Sequence, residues 1–202
     1  MIKSSSQLFR SILLPSPMCK PETVSKRIAD LFNLKLISVQ NLVKRHDSSD
    51  MAPVVVHELY KNSCKSWILD GYPRTREEAE QLWTEQKCHV VINLKLPVDQ
   101  LAAQATKICY EHPESGRLYS MEFNPPRRPD RDDVTGEELI RCEDLTHEEI
   151  KCKILEDEEA MKPVLDFYRE EGILQEIRGN SKADLIHRSR ICLSSLLPDA
   201  IL

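Results

Sequence analysis

The chain has 202 residues, a formal net charge of −5 at neutral pH and a pI near 5.7, so it carries no basic footprint for nucleic acid. No apolar run approaches the roughly 18 residues needed to span a bilayer, and the length suits one domain with a small inserted lobe. Seven cysteines without a C-x-x-C pair fit neither a disulfide framework nor a zinc ribbon, and point to a reducing compartment.

Residues 1–21 hold Lys3, Arg10 and Lys20, four serines in the first eleven positions, and no acid before Glu22. That composition suits a mitochondrial import sequence, so the mitochondrial matrix is the expected location, with the cytoplasm as the alternative. Arg10–Leu14 reads as a short buried strand stopped by Pro15 and Pro17. Pro21-Glu22-Thr23 then opens a helix to Phe32, with Val24, Ile28, Leu31 and Phe32 spaced for a core face. A second strand is expected at Leu34–Ile37. Two weaker helical pieces follow, at Asn41–His46 and Val54–Lys61, parted by the polar run Asp47–Asp50.

Ser66–Leu69 is a third strand. It leads through Asp70-Gly71 and a Pro73-Arg74-Thr75 turn into a polar helix with Ala79 and Leu82 inward. A carboxylate at the end of a buried strand, followed by a turn bearing an arginine, suits phosphate or metal in an α/β fold, or simply joins strand to helix. Val90–Leu94 is a fourth strand, and a helix runs from Val98 to about Tyr110. From His112 to Leu145 the rhythm breaks, with prolines and glycines among short β-like pieces, and a lobe is inserted. Thr146 and Glu149 cap a helix presenting Ile150, Ile154 and Leu155 inward, with Glu156–Glu159 as a solvated face. Pro163 starts a helix ending at Gly172, Ile173–Ile177 is a fifth strand, and a last helix runs from Ser181 to about Leu197. Strands alternating with helices predict a parallel five-stranded sheet covered on both faces.

The string W-I-L-D-G-Y-P-R-T-R at Trp67–Arg76, with this order of elements, resembles the substrate-binding turn of adenylate kinases. Ser115–Tyr119, Glu122–Pro126 and Asp132–Glu137 resemble the lid of long-form members, with the nearest look to the mitochondrial GTP:AMP phosphotransferase branch. Lys162–Leu165 and Tyr168–Leu174 resemble the family's C-terminal part. The resemblance implies a P-loop NTPase-like sheet in a single domain, a shortened monophosphate-binding region at 38–64 and a lid lobe at 112–145. It also implies a parts list: a glycine-rich phosphate cradle, arginines on the transferred group, and a lid closing over both.

Against that list the cradle is degenerate. Pro15–Thr23 contains no glycine, none occurs before Gly71, and proline offers no N–H to a phosphate nest. Pro21 stands where the family has its lysine, Glu22 brings negative charge to the helix start, Lys20 falls one position early, and Thr23 retains a hydroxyl. Ala105 and Cys109 occupy arginine positions and extend an apolar stripe with Val98 and Ala102. Cys142 and Lys153 occupy two further arginine positions, and Lys44 replaces the arginine on the monophosphate. Arg74 alone is retained. Glu78 corresponds to the adenine-reading glutamine, and thirteen residues, Lys44–Val56, replace a larger helical cap.

The vestigial site is therefore Arg74, Asp70 and Lys153 around the transferred group, with Lys44, Glu78, Lys20 and Thr23 on the substrates. No metal site is expected. The leading expectation is a pseudoenzyme serving as scaffold or subunit in a larger assembly, with a protein partner, no nucleic acid and no cofactor. The alternatives are a nucleotide binder without turnover, or a divergent nucleoside monophosphate kinase using Mg-ATP or Mg-GTP and substitutes among Lys20, Arg117, Arg127, Arg128, Arg131 and Arg141.

Overall fold

The structure is a computed structural model that describes residues 8–15, 21–43, 45, 51–105, 109–119, 125–142 and 146–197; for 21–23, 104, 105, 109 and 142 it describes the backbone alone. Five strands form a parallel sheet: β1 (Arg10–Leu14), β2 (Lys35–Ser38), β3 (Trp67–Asp70), β4 (Val90–Lys95) and, further along the chain, β8 (Leu174–Arg178). Their spatial order is β2-β3-β1-β4-β8, with Leu13 facing Asp70 on one side and Ile92 on the other. This is the expected α/β arrangement, and each strand lies within one or two residues of its expected range.

Near-continuous apolar strands make sense because both faces are covered. Along β1, Leu13 joins a core with Ile68, Val90 and Ile92, whereas Ile12 and Leu14 join a second core with Trp67, Leu69 and Val91. The first core is closed by Val24 and Ile28 of α1 (Pro21–Leu31), Leu101 of α5 (Val98–Ala105), Ile150 and Ile154 of α6 (His147–Ala160), and Leu185 and Leu193 of α8 (Lys182–Leu196). The second is closed by Leu42 of α2 (Val39–Val43), Val55 and Leu59 of α3 (Ala52–Lys61), Ala79 and Leu82 of α4 (Arg76–Glu85), and Val164 and Tyr168 of α7 (Lys162–Glu170). Each fully buried aliphatic or aromatic side chain here contributes about 1.5–3 kcal/mol.

Local signals set the helix starts. Thr75 and Glu78 form a capping box on α4, and Thr146 and Glu149 form the expected one on α6. Three apolar assignments differ from expectation. Leu31 is 42% exposed, because Asn33 turns the chain at a φ of 49° and sends Phe32 and Leu34 back to the core in its place. Leu155 is 51% exposed, since it sits one helical step, about 100°, past Ile154. The third is the helix expected to reach Tyr110. The chain is already a strand at β5 (Cys109–Glu111), which pairs antiparallel with β6 (Leu118–Tyr119) and β7 (Ile140–Cys142). That pairing employs backbone groups which a continued helix would have used internally. Cys109 consequently does not extend the helical stripe of Val98 and Ala102.

The β6-β5-β7 sheet and the segment 125–139 make up the inserted lobe. Residues 46–50 and 120–124, part of the polar break and of the β-like piece expected there, lie outside the described residues. Among the described residues no helix is long and apolar enough to cross a membrane.

Candidate functional site

β3 delivers Asp70 to the end of the sheet, where Ser25 of α1 donates a 2.9 Å hydrogen bond to its Oδ2. Gly71 follows at a φ of +81°, a conformation open to glycine, and a cis Tyr72-Pro73 bond brings the chain to Arg74 and the α4 cap. Glu78 does not reach outward from this turn. Its Oε2 accepts from the Arg74 amide at 2.7 Å and the Thr75 amide at 3.4 Å, so the carboxylate is spent on the helix start.

The lobe is organised around Asp132, whose side chain is shielded from solvent. Arg117 forks onto it with Nε at 2.9 Å and Nη2 at 2.7 Å, Tyr119 donates its hydroxyl at 2.8 Å, and the amides of Val134 and Thr135 donate at 3.0 and 2.8 Å. Burial alone would raise this carboxyl, but Arg117, Thr135 and Tyr119 outweigh it and hold it well below the usual range. His112 lies beneath the turn, with Nε2 2.5 Å from Glu137 and Nδ1 2.8 Å from the Ser115 hydroxyl.

The lobe then clasps the sheet. Asp133 takes an ion pair from Arg74 at 3.1 Å and another from Arg127 at 3.5 Å, and accepts the Arg127 amide at 2.6 Å. The Arg127 guanidinium also donates to the carbonyl of Gly71 at 2.6 Å. Burial and the neighbouring Arg74 charge push the Arg127 guanidinium down to about 10. Two arginines and one aspartate thus close the lobe onto the strand–turn.

Beneath the clasp is a cavity of about 380 Å³ lined by Arg74, Arg117, Asn93, Lys95, Asp157 and Glu158, among others. Asn93 is 7% exposed, and its Nδ2 has no hydrogen-bond partner among the described residues. Asp157 departs from the solvated face expected for 156–159: burial raises its carboxyl to about 6, against the pull of Arg74 and Arg117. Its placement on the Lys153 face of α6, four residues on, was the available sequence signal. Because the native carboxyl titrates above its unfolded value near 3.9, stability falls as pH rises from about 4 through 6. Asp157→Asn is expected to gain about 1–2 kcal/mol at pH 7.5, after discounting for partial exposure, and little at pH 4. Urea unfolding of both proteins at the two pH values measures this.

Of the expected site residues, Asp70, Arg74 and Glu78 follow one another along the strand–turn–helix joint, engaged by Ser25, by Asp133 and by the α4 cap respectively. Lys153 is paired with Glu111 of β5. Lys20 and Lys44 lie outside the described residues, as do the side chains of Thr23, Ala105, Cys109 and Cys142. Among the proposed substitutes, Arg117 and Arg127 are occupied as above and Arg131 donates to the Gly136 carbonyl at 2.9 Å. Arg127 as the lobe's anchor on Gly71 had no sequence signal. The carboxylates do not suit a bare cation: Asp132 and Asp133 are saturated by arginines and N–H donors. Among the described residues no group of three metal-ligating side chains converges.

Comparison with known proteins agrees with this geometry. Residues 110–144 match the family model described as the active-site lid of adenylate kinase. The chain is 34% identical over 128 residues to the mitochondrial GTP:AMP phosphotransferase of Saccharomyces cerevisiae strain S288c, covering 61% of this chain and 56% of that protein. A second Saccharomyces cerevisiae protein of the same name is 34% identical over 125 residues, covering 59% of this chain and 53% of the relative. The chain therefore spans about half the length of the curated relatives it matches. By its matched lid and these relatives, the chain is similar to adenylate kinases and, among them, to the mitochondrial GTP:AMP phosphotransferases.

Proposed function

We propose that this chain is an adenylate-kinase-like protein whose phosphoryl-transfer centre has been dismantled and whose lid is closed by its own charges, leaving a scaffold or subunit of a larger assembly. The observation that carries this reading is Asp133, which takes Arg74 and Arg127, the charges a phosphate would need. The sequence adds that no glycine precedes Gly71 and that Ala105, Cys109 and Cys142 stand at positions where the family resemblance places arginines. One such arginine is worth about 10³–10⁵ in rate in this chemistry.

Similarity to two proteins named GTP:AMP phosphotransferase favours a second reading, and the comparisons support it better than the first. In that reading the chain is a divergent nucleoside monophosphate kinase moving phosphate from Mg-ATP or Mg-GTP to AMP, with the magnesium carried in on the nucleotide. Arg74 would orient the phosphates, Arg117 would face them across the cavity, and Asn93 would offer its Nδ2 proton to the ligand. Asp133 would have to release its arginines first. The relatives' names also support a mitochondrial location for this chain, and its basic, serine-rich first residues favour the matrix within it.

A coupled assay with ATP or GTP plus AMP separates the readings. The expected result is transfer at least about 10³-fold slower than an active kinase of this type. Turnover at an ordinary kinase rate that Arg74→Ala abolishes would establish the second reading. Calorimetry identifies a nucleotide binder without turnover, and gel filtration of the native protein shows whether it resides in a large complex.

A further inference from the structure

β5 and β7 are the strands by which the chain enters and leaves the lid, and their register sets Cys109 directly opposite Cys142. Directly opposed residues in an antiparallel pair have Cα atoms about 4.5–5.5 Å apart. Disulfides span Cα separations of about 4.4–6.8 Å, so this register meets the backbone spacing that a bridge requires. Tyr110 facing Arg141 and Glu111 facing Ile140 extend the same ladder and fix the register. Four other cysteines are placed differently: Cys64 and Cys152 are exposed, Cys192 is partly covered, and Cys88 is in the core, where burial pushes its thiol up to about 12.

We propose that Cys109 and Cys142 are a redox pair, forming a reversible disulfide across the neck of the lid when a low-molecular-weight disulfide is available as oxidant. One cysteine thiolate attacks the small disulfide and releases one thiol. The second thiolate then attacks the mixed disulfide, releasing another thiol and closing the Cys109–Cys142 bond. Two electrons pass to the oxidant, and the two protons end on the released thiols. In the reducing compartment expected from the cysteine usage, the resting pair is the dithiol, and bridging reports a shift in thiol poise. The bridge joins the chain's way into the lid to its way out, so an oxidised lid moves as one piece with a fixed base.

The full-length protein is equilibrated with oxidised glutathione, remaining thiols are blocked with N-ethylmaleimide, and the product is digested with trypsin without reduction. Cleavage after Lys107, Arg117, Arg141 and Lys151 isolates residues 108–117 and 142–151, each holding one cysteine. The expected result is a linked 108–117/142–151 pair lighter by two hydrogens than the separate peptides. It is lost on dithiothreitol treatment and absent in both Cys109→Ser and Cys142→Ser. The proposal is overturned if both peptides carry only N-ethylmaleimide or glutathione, or if either cysteine pairs elsewhere. Circular dichroism of each serine variant establishes that it is folded before the peptides are compared.

Discussion

Asp133→Asn is expected to release the lid. The aspartate side chain is 2% exposed and balances two guanidiniums, of which Arg127 is itself only 8% exposed. Removing one partner of a buried ion pair costs about 3–5 kcal/mol because the other charge stays behind unpaired. Arg74 is 30% exposed and water can screen it, so the lower end, about 3 kcal/mol, is the expectation here. That is roughly a hundredfold in the closed-to-open ratio. Hydrogen exchange at 125–142 reports it directly, as does tryptic cleavage at Arg127 and Arg131. Exchange rates that match the parent's would mean that the lid is held by something other than this clasp. The same variant frees Arg74 and Arg127 for an anion, and calorimetric titration with ATP is expected to show tighter binding than in the parent.

Asp132→Asn has a comparable effect by a different route. Both carboxylate oxygens are surrounded by donors: two guanidinium nitrogens, the Tyr119 and Thr135 hydroxyls and two backbone amides. An asparagine keeps one acceptor and turns an NH₂ group toward donors, losing charge and hydrogen bonds together. The cost expected at pH 7 is about 3–4 kcal/mol, taken from the lid rather than the sheet. Acid should mimic the substitution. The native carboxyl is depressed below its unfolded value near 3.9, so its contribution is complete above that pH and drains away as pH falls further. Near-ultraviolet circular dichroism across pH 7 to 2 is expected to register loss of the Tyr119 environment before the sheet unfolds, and Asp132→Asn should show that altered signal already at pH 7.

The sheet was legible because its signals are local. Val90–Ile92 and Trp67–Leu69 are apolar runs between turn residues, and Thr75 with Glu78 and Thr146 with Glu149 mark helix starts within four residues. The site was legible in part. Asp70 and Arg74 lie four residues apart on one turn, but their partners come from elsewhere in the chain, Ser25 for Asp70 and Asp133 for Arg74. Glu78 folds back to cap its own helix, and Lys153 meets Glu111, forty-two positions earlier. The helix through Tyr110 failed for the same reason, since pairing with β6 and β7 decides that segment and no window around Cys109 contains it. Asp157 was invisible as a half-buried acid because neighbouring Glu156 and Glu159 are exposed and the four acids look alike in sequence.

The bond from Arg127 to Gly71 has an acceptor that belongs to the main chain. Every residue type carries that carbonyl, so the contact is blind to the identity of position 71 as long as the turn keeps its shape. Genetic variation can therefore undo it directly through Arg127, and at position 71 by disturbing the turn, whose φ of +81° favours glycine. A double-mutant cycle cannot apportion it, whereas an ester in place of the amide after Gly71, which weakens the carbonyl as an acceptor, can. The fastening of lid to sheet is thus half written in side chains and half in backbone, and the backbone half depends on position 71 only through the shape of its turn.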